Sequence, residues 1–305
     1  MNRSPPTGPR RILGVGIATL DIINEVATYP AEDDEVRALG QRRCRGGNAT
    51  NTLVVLSQLG HACALAGTLA DDVQSGEILR DLKAHGVDIE PCVRHAGSHT
   101  PTSYVTLSRA SGSRTIVHHR DLPELRAAEL AAVDLAGYDW VHFEGRNPGE
   151  TAAMIRDCVA RRPDLEISVE VEKPRPGIER LLQGPQVLLF SRAYARSCGY
   201  EDPEPFLADQ WPWTGAQLLV LPWGEDGAFA QVRDGPVCFA PPYAPSRVTD
   251  TLGAGDVFNA AVIDGLLAGL DLARVLGRAN RLAGVKCGLS GLKGLVMRAR
   301  KAGLL

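Results

Sequence analysis

Aromatic residues are scarce in this 305-residue chain, at 5%, and no repeat organises its 32 glycines and 20 prolines. A collagen-like fibre and a low-complexity linker are thereby excluded. Charge of one sign is also lacking, since 33 basic and 36 acidic residues leave a net charge of −3. Without a global basic field, neither nucleic acid nor anionic membrane is an expected partner, although local anion sites remain open. No stretch approaches the roughly 20 apolar residues that cross a bilayer. The seven cysteines (Cys44, Cys63, Cys92, Cys158, Cys198, Cys238, Cys287) form no C-x-x-C pair. That spacing supports neither a zinc ribbon nor a disulfide framework, and reduced thiols in a cytoplasmic protein are the simplest reading. Prolines interrupt the basic start, and the apolar run 12–20 ends at Asp21 with no small-residue cleavage site, so a secretory leader is not expected. Gly14-Val15-Gly16-Ile17-Ala18-Thr19 falls one glycine short of a dinucleotide fingerprint, and no P-loop occurs. His118-His119 has no third ligand at metal-site spacing.

What the sequence does contain is ample core material, with 44% of its residues hydrophobic. Residues 11–17 read as a buried strand leading to a polar loop at Asp21. The spacing of Leu53, Val54, Val55, Leu56 and Leu59 predicts a helix over 48–59. A strand over 63–69 and a helix over 73–85 follow. Short β-forming runs recur at 140–143, 167–171, 187–190 and 218–221, with helical stretches at 150–161, 177–182 and 193–198 between them. Such alternation predicts an α/β fold, a doubly wound and mainly parallel sheet flanked by helices. Segments near 22–45 and 98–120 break the rhythm and predict a small antiparallel sheet inserted as a lid. One domain over 11–297 is expected, with 1–10 and 298–305 as flexible ends.

The most informative stretch is Asp250-Thr251-Leu252-Gly253-Ala254-Gly255-Asp256, which runs into the apolar 257–262. Small residues there leave backbone N–H groups bare at a helix N-terminus, where unpaired donors and the helix dipole attract anions. A carboxylate at Asp256 would compete with an anion for those donors unless it faces a substrate hydroxyl and takes its proton. The alternative is an Asp that caps its own helix.

D-T-L-G-A-G-D resembles the C-terminal signature of the ribokinase-like (PfkB) family of sugar kinases. Arg45-Gly46-Gly47-Asn48-Ala49-Thr50-Asn51 resembles that family's N-terminal Gly-Gly-Asn signature, in the expected order and place. Four further stretches are similar to the ketohexokinase branch: 111–116 (SGSRTI), 141–147 (VHFEGRN), 169–175 (VEVEKPR) and 286–291 (KCGLSG). The resemblance runs from about Ile12 to Val296. It implies a ribokinase-like fold and an ATP-dependent kinase for a ketohexose such as fructose. Mg²⁺ is implied as cofactor, and potassium by the same resemblance. Asp256 is implied as catalytic base, Gly253, Ala254 and Gly255 as the anion hole, and Arg114 as the lid arginine on the transferred phosphate.

Asp21, Gly47, Asn48 and Asn51 match positions that hold sugar hydroxyls, and their amide and carboxylate chemistry suits that role. Arg146 is a weaker candidate there, equally readable as a structural arginine paired with Glu144 or Glu170. Asn48 could instead cap the helix behind it, and Arg114 could be a solvated hairpin residue. Trp223, Gly224, Glu225, Gly227, Thr251 and Cys287 match the nucleotide side, although core packing would also explain Trp223 and Cys287. Asp33 matches a lid residue that reaches sugar across a homodimer joined through the lid sheets; its charge run could equally be a solvated face. The family's Asn-x-x-Glu motif is missing, because Ser191-Arg192-Ala193-Tyr194 stands in its place. Metal ligands stay unassigned, with Glu170 and Glu172 as weak candidates. The rival readings are a same-fold kinase for another sugar, a sugar acid or a nucleoside, and a silent sugar or nucleotide sensor.

Overall fold

The computed structural model describes residues 8–305. Strands β1 (Arg11–Val15), β2 (Thr19–Val26) and β3 (Gly40–Gly46) precede helix α1 (Asn48–Leu59). Next come β4 (Ala62–Ala66), β5 (Thr68–Ala70), α2 (Val73–Ala84), β6 (Val87–Asp88), β7 (Val93–His95), β8 (Thr102–Ser108) and β9 (Arg114–His119). The middle of the chain holds α3 (Ala127–Leu130), β10 (Trp140–Glu144), α4 (Pro148–Arg161), β11 (Glu166–Val171), β12 (Val187–Phe190), α5 (Arg192–Ser197) and α6 (Pro203–Gln210). It ends with β13 (Leu218–Pro222), β14 (Ala228–Val232), β15 (Val237–Ala240), α7 (Ala254–Leu267), α8 (Leu272–Cys287) and α9 (Leu295–Lys301).

Nine strands form the central sheet in the order β15-β14-β13-β12-β11-β10-β1-β4-β6. All pairs from β13 to β6 are parallel, and only β14 and β15 join antiparallel. Both faces are covered, so the central strands are nearly continuous apolar runs rather than alternating ones. Ile12 belongs to the core under α1, α7, α8 and α9, while its neighbour Leu13 belongs to the core under α4, α5 and α6. The doubly wound α/β architecture expected from the sequence is the one observed.

A second sheet, β3-β2-β8-β9, stands apart as the lid. Its β2–β3 and β8–β9 pairs are antiparallel, whereas β2 and β8 run parallel. That parallel pair follows from the long crossover through α1 and α2 that separates the two strands. Successive side chains alternate faces, so Asp21, Ser103 and His118 share one side of the lid and Ile22, Tyr104 and Val117 the other.

Two local expectations need correcting and one refining. The strand expected over 63–69 breaks at Gly67, where a Cβ would lie 2.4 Å from the Gly16 carbonyl oxygen. This close backbone approach splits it into β4 and β5. The helical stretch expected over 177–182 is present as a 3-10 helix, Ile178–Leu182, which refines its type. The C-terminal segment 298–305 is not a loose end: α9 runs to Lys301, Ala299 is fully buried and Arg281 Nε donates to the Leu304 carbonyl at 2.9 Å. The expectation for the first ten residues falls largely outside the described ones.

Candidate active site

The segment 250–256 enters α7 through Gly253, whose φ of 81° lies in the left-handed region that favours glycine. No side chain caps this helix. Asp256 is its third residue and does not cap it; its Oδ2 instead accepts from Asn51 Nδ2 at 2.7 Å. The capping alternative is thereby removed. The first-turn amides at Gly255 and Asp256 have no acceptor within the helix, and a Cβ on Gly255 would meet nothing within 4 Å. The helix start is thus an open cradle of donors beside a buried carboxyl. Burial pushes that Asp256 carboxyl up to about 8, against the lowering by Asn51 and with further raising by Glu172 and Glu144.

Asn48 opens α1 from the position after the cap, Gly47, and does not cap it either. Its amide donates to Glu170 Oε2 at 2.9 Å and Glu172 Oε2 at 3.0 Å. Glu170 also accepts at Oε1 from Asn259 Nδ2, 2.8 Å away. Burial, then Asp256 and Glu172, push the Glu170 carboxyl well above its ordinary range. On the lid, Asp21 accepts from the Thr19 hydroxyl at 3.0 Å, and burial raises its carboxyl too. Gly46 and Gly47 let these pieces meet. A Cβ on Gly46 would sit 2.2 Å from Asp21 Oδ2, and one on Gly47 would sit 2.1 Å from the Ile17 carbonyl oxygen. Asp21, Arg42, Cys44, Arg45, Asn51 and Asp250 together line part of a cavity of about 210 Å³.

Arg114 reaches back from β9 so that Nη1 donates to Thr251 Oγ1 at 2.9 Å, across 137 residues of sequence. The β9 arginine and the 250–256 loop are therefore in contact. Among the residues expected on the nucleotide side, Trp223 is buried just after β13, with the Arg196 guanidinium 5.8 Å from its ring centre. Gly227 is left-handed at φ 97°, and a Cβ there would strike the Ala240 carbonyl at 2.4 Å. Glu225 pairs with Arg192 Nη1 at 3.0 Å, and Gly224 packs against that same guanidinium. Cys287 is half-buried, and its carbonyl accepts from the Thr249 and Asp250 amides at 2.7 and 3.1 Å.

Two candidates stand apart. Arg146 is tied to Glu124 at 3.0 Å and to Glu144 at 3.3 Å, the paired arrangement weighed as its alternative. Asp33 is exposed in the loop 27–39, at φ 68°, without a hydrogen bond to any of the other candidate residues. The glycines of 14–16 serve packing instead: a Cβ on Gly14 would strike Leu53, and one on Gly16 would strike Ala49 and Glu144.

Several participants escaped the sequence reading. Arg45 donates to Asn51 Oδ1 at 2.8 Å while its Nε binds Asp81 at 2.7 Å, fixing the amide that faces Asp256. Asn259 could have been found, because it lies three residues after Asp256 on the same helix face. Asp250 and Lys286 stand in the signature-like stretches without an implied role, and only the fold brings them together, at 3.2 Å.

This fold and site define a phosphotransferase class, with an open helix start beside a buried carboxyl and Arg114 of the small sheet in contact with the loop. The pfkB family carbohydrate kinase pattern matches residues 10–296. The chain is 38% identical to mouse ketohexokinase over 296 residues, covering 94% of this chain and 99% of the mouse protein. It is 25% identical to an ATP-dependent ribose-1-phosphate kinase of Halopiger xanaduensis, over 93% of this chain and 94% of that one. The structure of Arabidopsis thaliana ribokinase complexed with ribose and ATP superposes with a TM-score of 0.77 at 18% identity, covering 93% of this chain and 94% of the other. The chain belongs to the pfkB family of carbohydrate kinases, phosphotransferases that act on a sugar hydroxyl.

Proposed function

We propose that the chain is an ATP-dependent kinase of a ketohexose such as fructose, transferring the γ-phosphoryl group to a primary hydroxyl. The observation that carries this reading is Asp256, a buried carboxyl at the mouth of an open helix N-terminus, held by Asn51 at 2.7 Å. Its proton affinity, raised to about 8 by burial, suits a base working near neutral pH. In the reaction Asp256 takes the proton of the sugar hydroxyl while that oxygen forms a bond to the γ-phosphorus. The bond from the γ-phosphorus to the β–γ bridging oxygen breaks, and ADP leaves with its electron pair. Amides of 253–256 and the Arg114 guanidinium offset the charge on the transferred group. Asp21, Asn48 and Asn51 supply acceptors and donors that orient hydroxyls, and Trp223, Gly227 and Cys287 shape the adenine side. Lid closure over the sugar excludes water, which competes as acceptor.

Among the described residues, no group of three His, Cys, Asp or Glu is arranged around a metal site. Both oxygens of Glu170 are engaged by amides, whereas Glu172, engaged at Oε2 by Asn48 and Lys173, is half-exposed and can turn its other oxygen to a hydrated ion. That donor set fits a magnesium ion carried in on the nucleotide phosphates with most of its water. When bound, Mg²⁺ neutralises phosphate charge. The potassium implied by resemblance fits less well beside the loop, since the Asp250 carboxylate is already taken by Lys286, Arg42 and two amides.

We further propose a cytoplasmic homodimer joined through the lid sheets, with Asp33 reaching the partner's sugar. Tyr104 and Val117, directly opposed and 50% and 65% exposed, form its outward apolar pair, with half-buried Ile22 beside them packed against the core. The domain boundary at 297 is placed less well, because α9 continues past it.

A coupled ADP-release screen across ketoses, aldoses, sugar acids and nucleosides tests the function. The expected result is ADP release highest with a ketohexose. Preference for a nucleoside or an aldose would move the substrate elsewhere in the family, and release with no compound would make the chain a binding protein.

A further inference from the structure

Lys286 is the last lysine expected from its surroundings: it lies at the C-terminal turn of α8 with a relative exposure of 0%. A buried ammonium is costly unless each N–H is answered, and an apolar side chain of similar length would pack there without that cost. All three of its donors are answered. Nζ donates to the Asp250 carbonyl oxygen at 2.8 Å, to the Leu289 carbonyl at 3.3 Å, and pairs with Asp250 Oδ2 at 3.2 Å.

Asp250 is the residue from which the anion loop springs. Its Oδ1 accepts from the Leu252 amide at 2.9 Å, two residues into that loop. Its Oδ2 also accepts from Gly291 N at 3.2 Å and from Arg42 Nη2, on lid strand β3, at 2.9 Å. The same junction is pinned from the backbone, because the Cys287 carbonyl accepts from Thr249 N and Asp250 N. Gly284 lets the incoming chain lie against α8, since a Cβ there would sit 2.1 Å from the Tyr243 carbonyl oxygen. Four separate pieces therefore meet at one carboxylate: the end of α8, the turn 289–291, the lid and the anion loop.

We infer that Lys286 is a positioning residue for phosphoryl transfer, its buried ammonium holding Asp250 and thereby the 251–256 donors in the geometry the γ-phosphate needs. It touches no reacting atom and acts through Asp250. The inference rests on the proposed kinase reading. Its consequence is selective: losing the ammonium loosens the phosphate cradle while leaving the sugar contacts of Asn48 and Asn51, which are held by Glu170 and Arg45, in place.

The test compares Lys286→Met, Lys286→Arg and Lys286→Ala with the unaltered enzyme, after thermal denaturation shows which variants are folded. For Lys286→Met, kcat is expected to fall about 100-fold and affinity for a non-hydrolysable ATP analogue about tenfold, with sugar affinity by calorimetry within about twofold. Ammonium chloride, against choline chloride at equal ionic strength, is expected to restore Lys286→Ala about tenfold beyond its effect on the unaltered enzyme. Turnover of Lys286→Met within about threefold of the unaltered enzyme would overturn the inference. So would equal weakening of sugar and nucleotide analogue, combined with no ammonium rescue, because that pattern marks a merely structural lysine. Should the unaltered enzyme phosphorylate nothing, the kinase reading falls. Analogue binding by the variant then still decides whether the clamp exists.

Discussion

Burial, Glu172 and Glu144 oppose the ionisation of Asp256, while the Asn51 hydrogen bond and the Arg45 charge favour it. Because kcat/KM reports the free enzyme, its pH profile is expected to rise through a limb near about 8. Asn51→Ala removes the lowering contact and is expected to move that limb upward; a limb unmoved or shifted down would contradict the assignment. The same group bears on stability, and the sign is opposite to that of an ordinary ion pair. Its folded proton affinity lies above the ordinary 3.8, so the folded state binds more protons than the unfolded chain between there and about 8. Stability contributed by this group is therefore full at low pH and lost as pH rises through that window. Asp256→Asn is expected to raise the thermal midpoint at pH 8 by a few degrees, with less gain at pH 5, by calorimetry. At this scale the sequence was most readable in its two signature stretches, which singled out Asp256, Asn48 and Asn51; the structure joins Asn51 to Asp256 and Asn48 to Glu170 across 205 and 122 residues. The sequence was least readable for Arg45, Asp250 and Lys286, because residue type alone does not say which carboxylate, amide or carbonyl a charged side chain meets in the fold.

The elements carry the next level, and two glycines show how. β3 ends in Gly46-Gly47 because backbone and the Asp21 carboxylate occupy the space a Cβ would need. Gly46→Ala is expected to displace Asp21 and raise KM for the sugar at least about tenfold, with KM for ATP little changed. An unchanged sugar KM, measured by steady-state kinetics, would show that Asp21 does not hold substrate. Helix α1 falls on 48–59 as its apolar spacing predicted, and β10, β11, β12 and β13 fall on the short β-forming runs. Strands buried on both faces announce themselves through continuous hydrophobicity. What stayed hidden were elements without such a pattern: β14 and β15, which reverse the sheet's direction, and the break at Gly67. The fate of the C-terminal segment was hidden for a similar reason. Its basic residues 298, 300 and 301 suggested solvent, while the buried Leu295, Val296 and Ala299 set its docking.

Across the whole molecule, the lid has two unlike faces: one sets Asp21, Ser103 and His118 beside buried Ile23 and Val105, and the other exposes Tyr104 and Val117. An exposed apolar pair of this kind is an interaction surface by ordinary expectation. Val117→Asp is expected to convert a dimer into a monomer in light scattering and to weaken sugar turnover if Asp33 completes the partner's site. Monomeric unaltered protein would remove the trans arrangement and leave the rest of the site standing. The parallel scaffold brings the anion loop from the start of α7 and the lid from two insertions, and Arg114 meeting Thr251 is where they touch. The order of elements made the scaffold legible, but no pattern in the sequence fixed the distance between lid and loop.

On the proposed reading, Asp256 moves the proton in phosphoryl transfer to a sugar. That role is tested most directly by the turnover of Asp256→Asn with magnesium, ATP and the preferred ketose, beside calorimetric binding of both substrates. A kcat lowered about 10²- to 10⁴-fold, with both affinities within a few-fold of the unaltered enzyme, is the result predicted. Turnover close to that of the unaltered enzyme would contradict it.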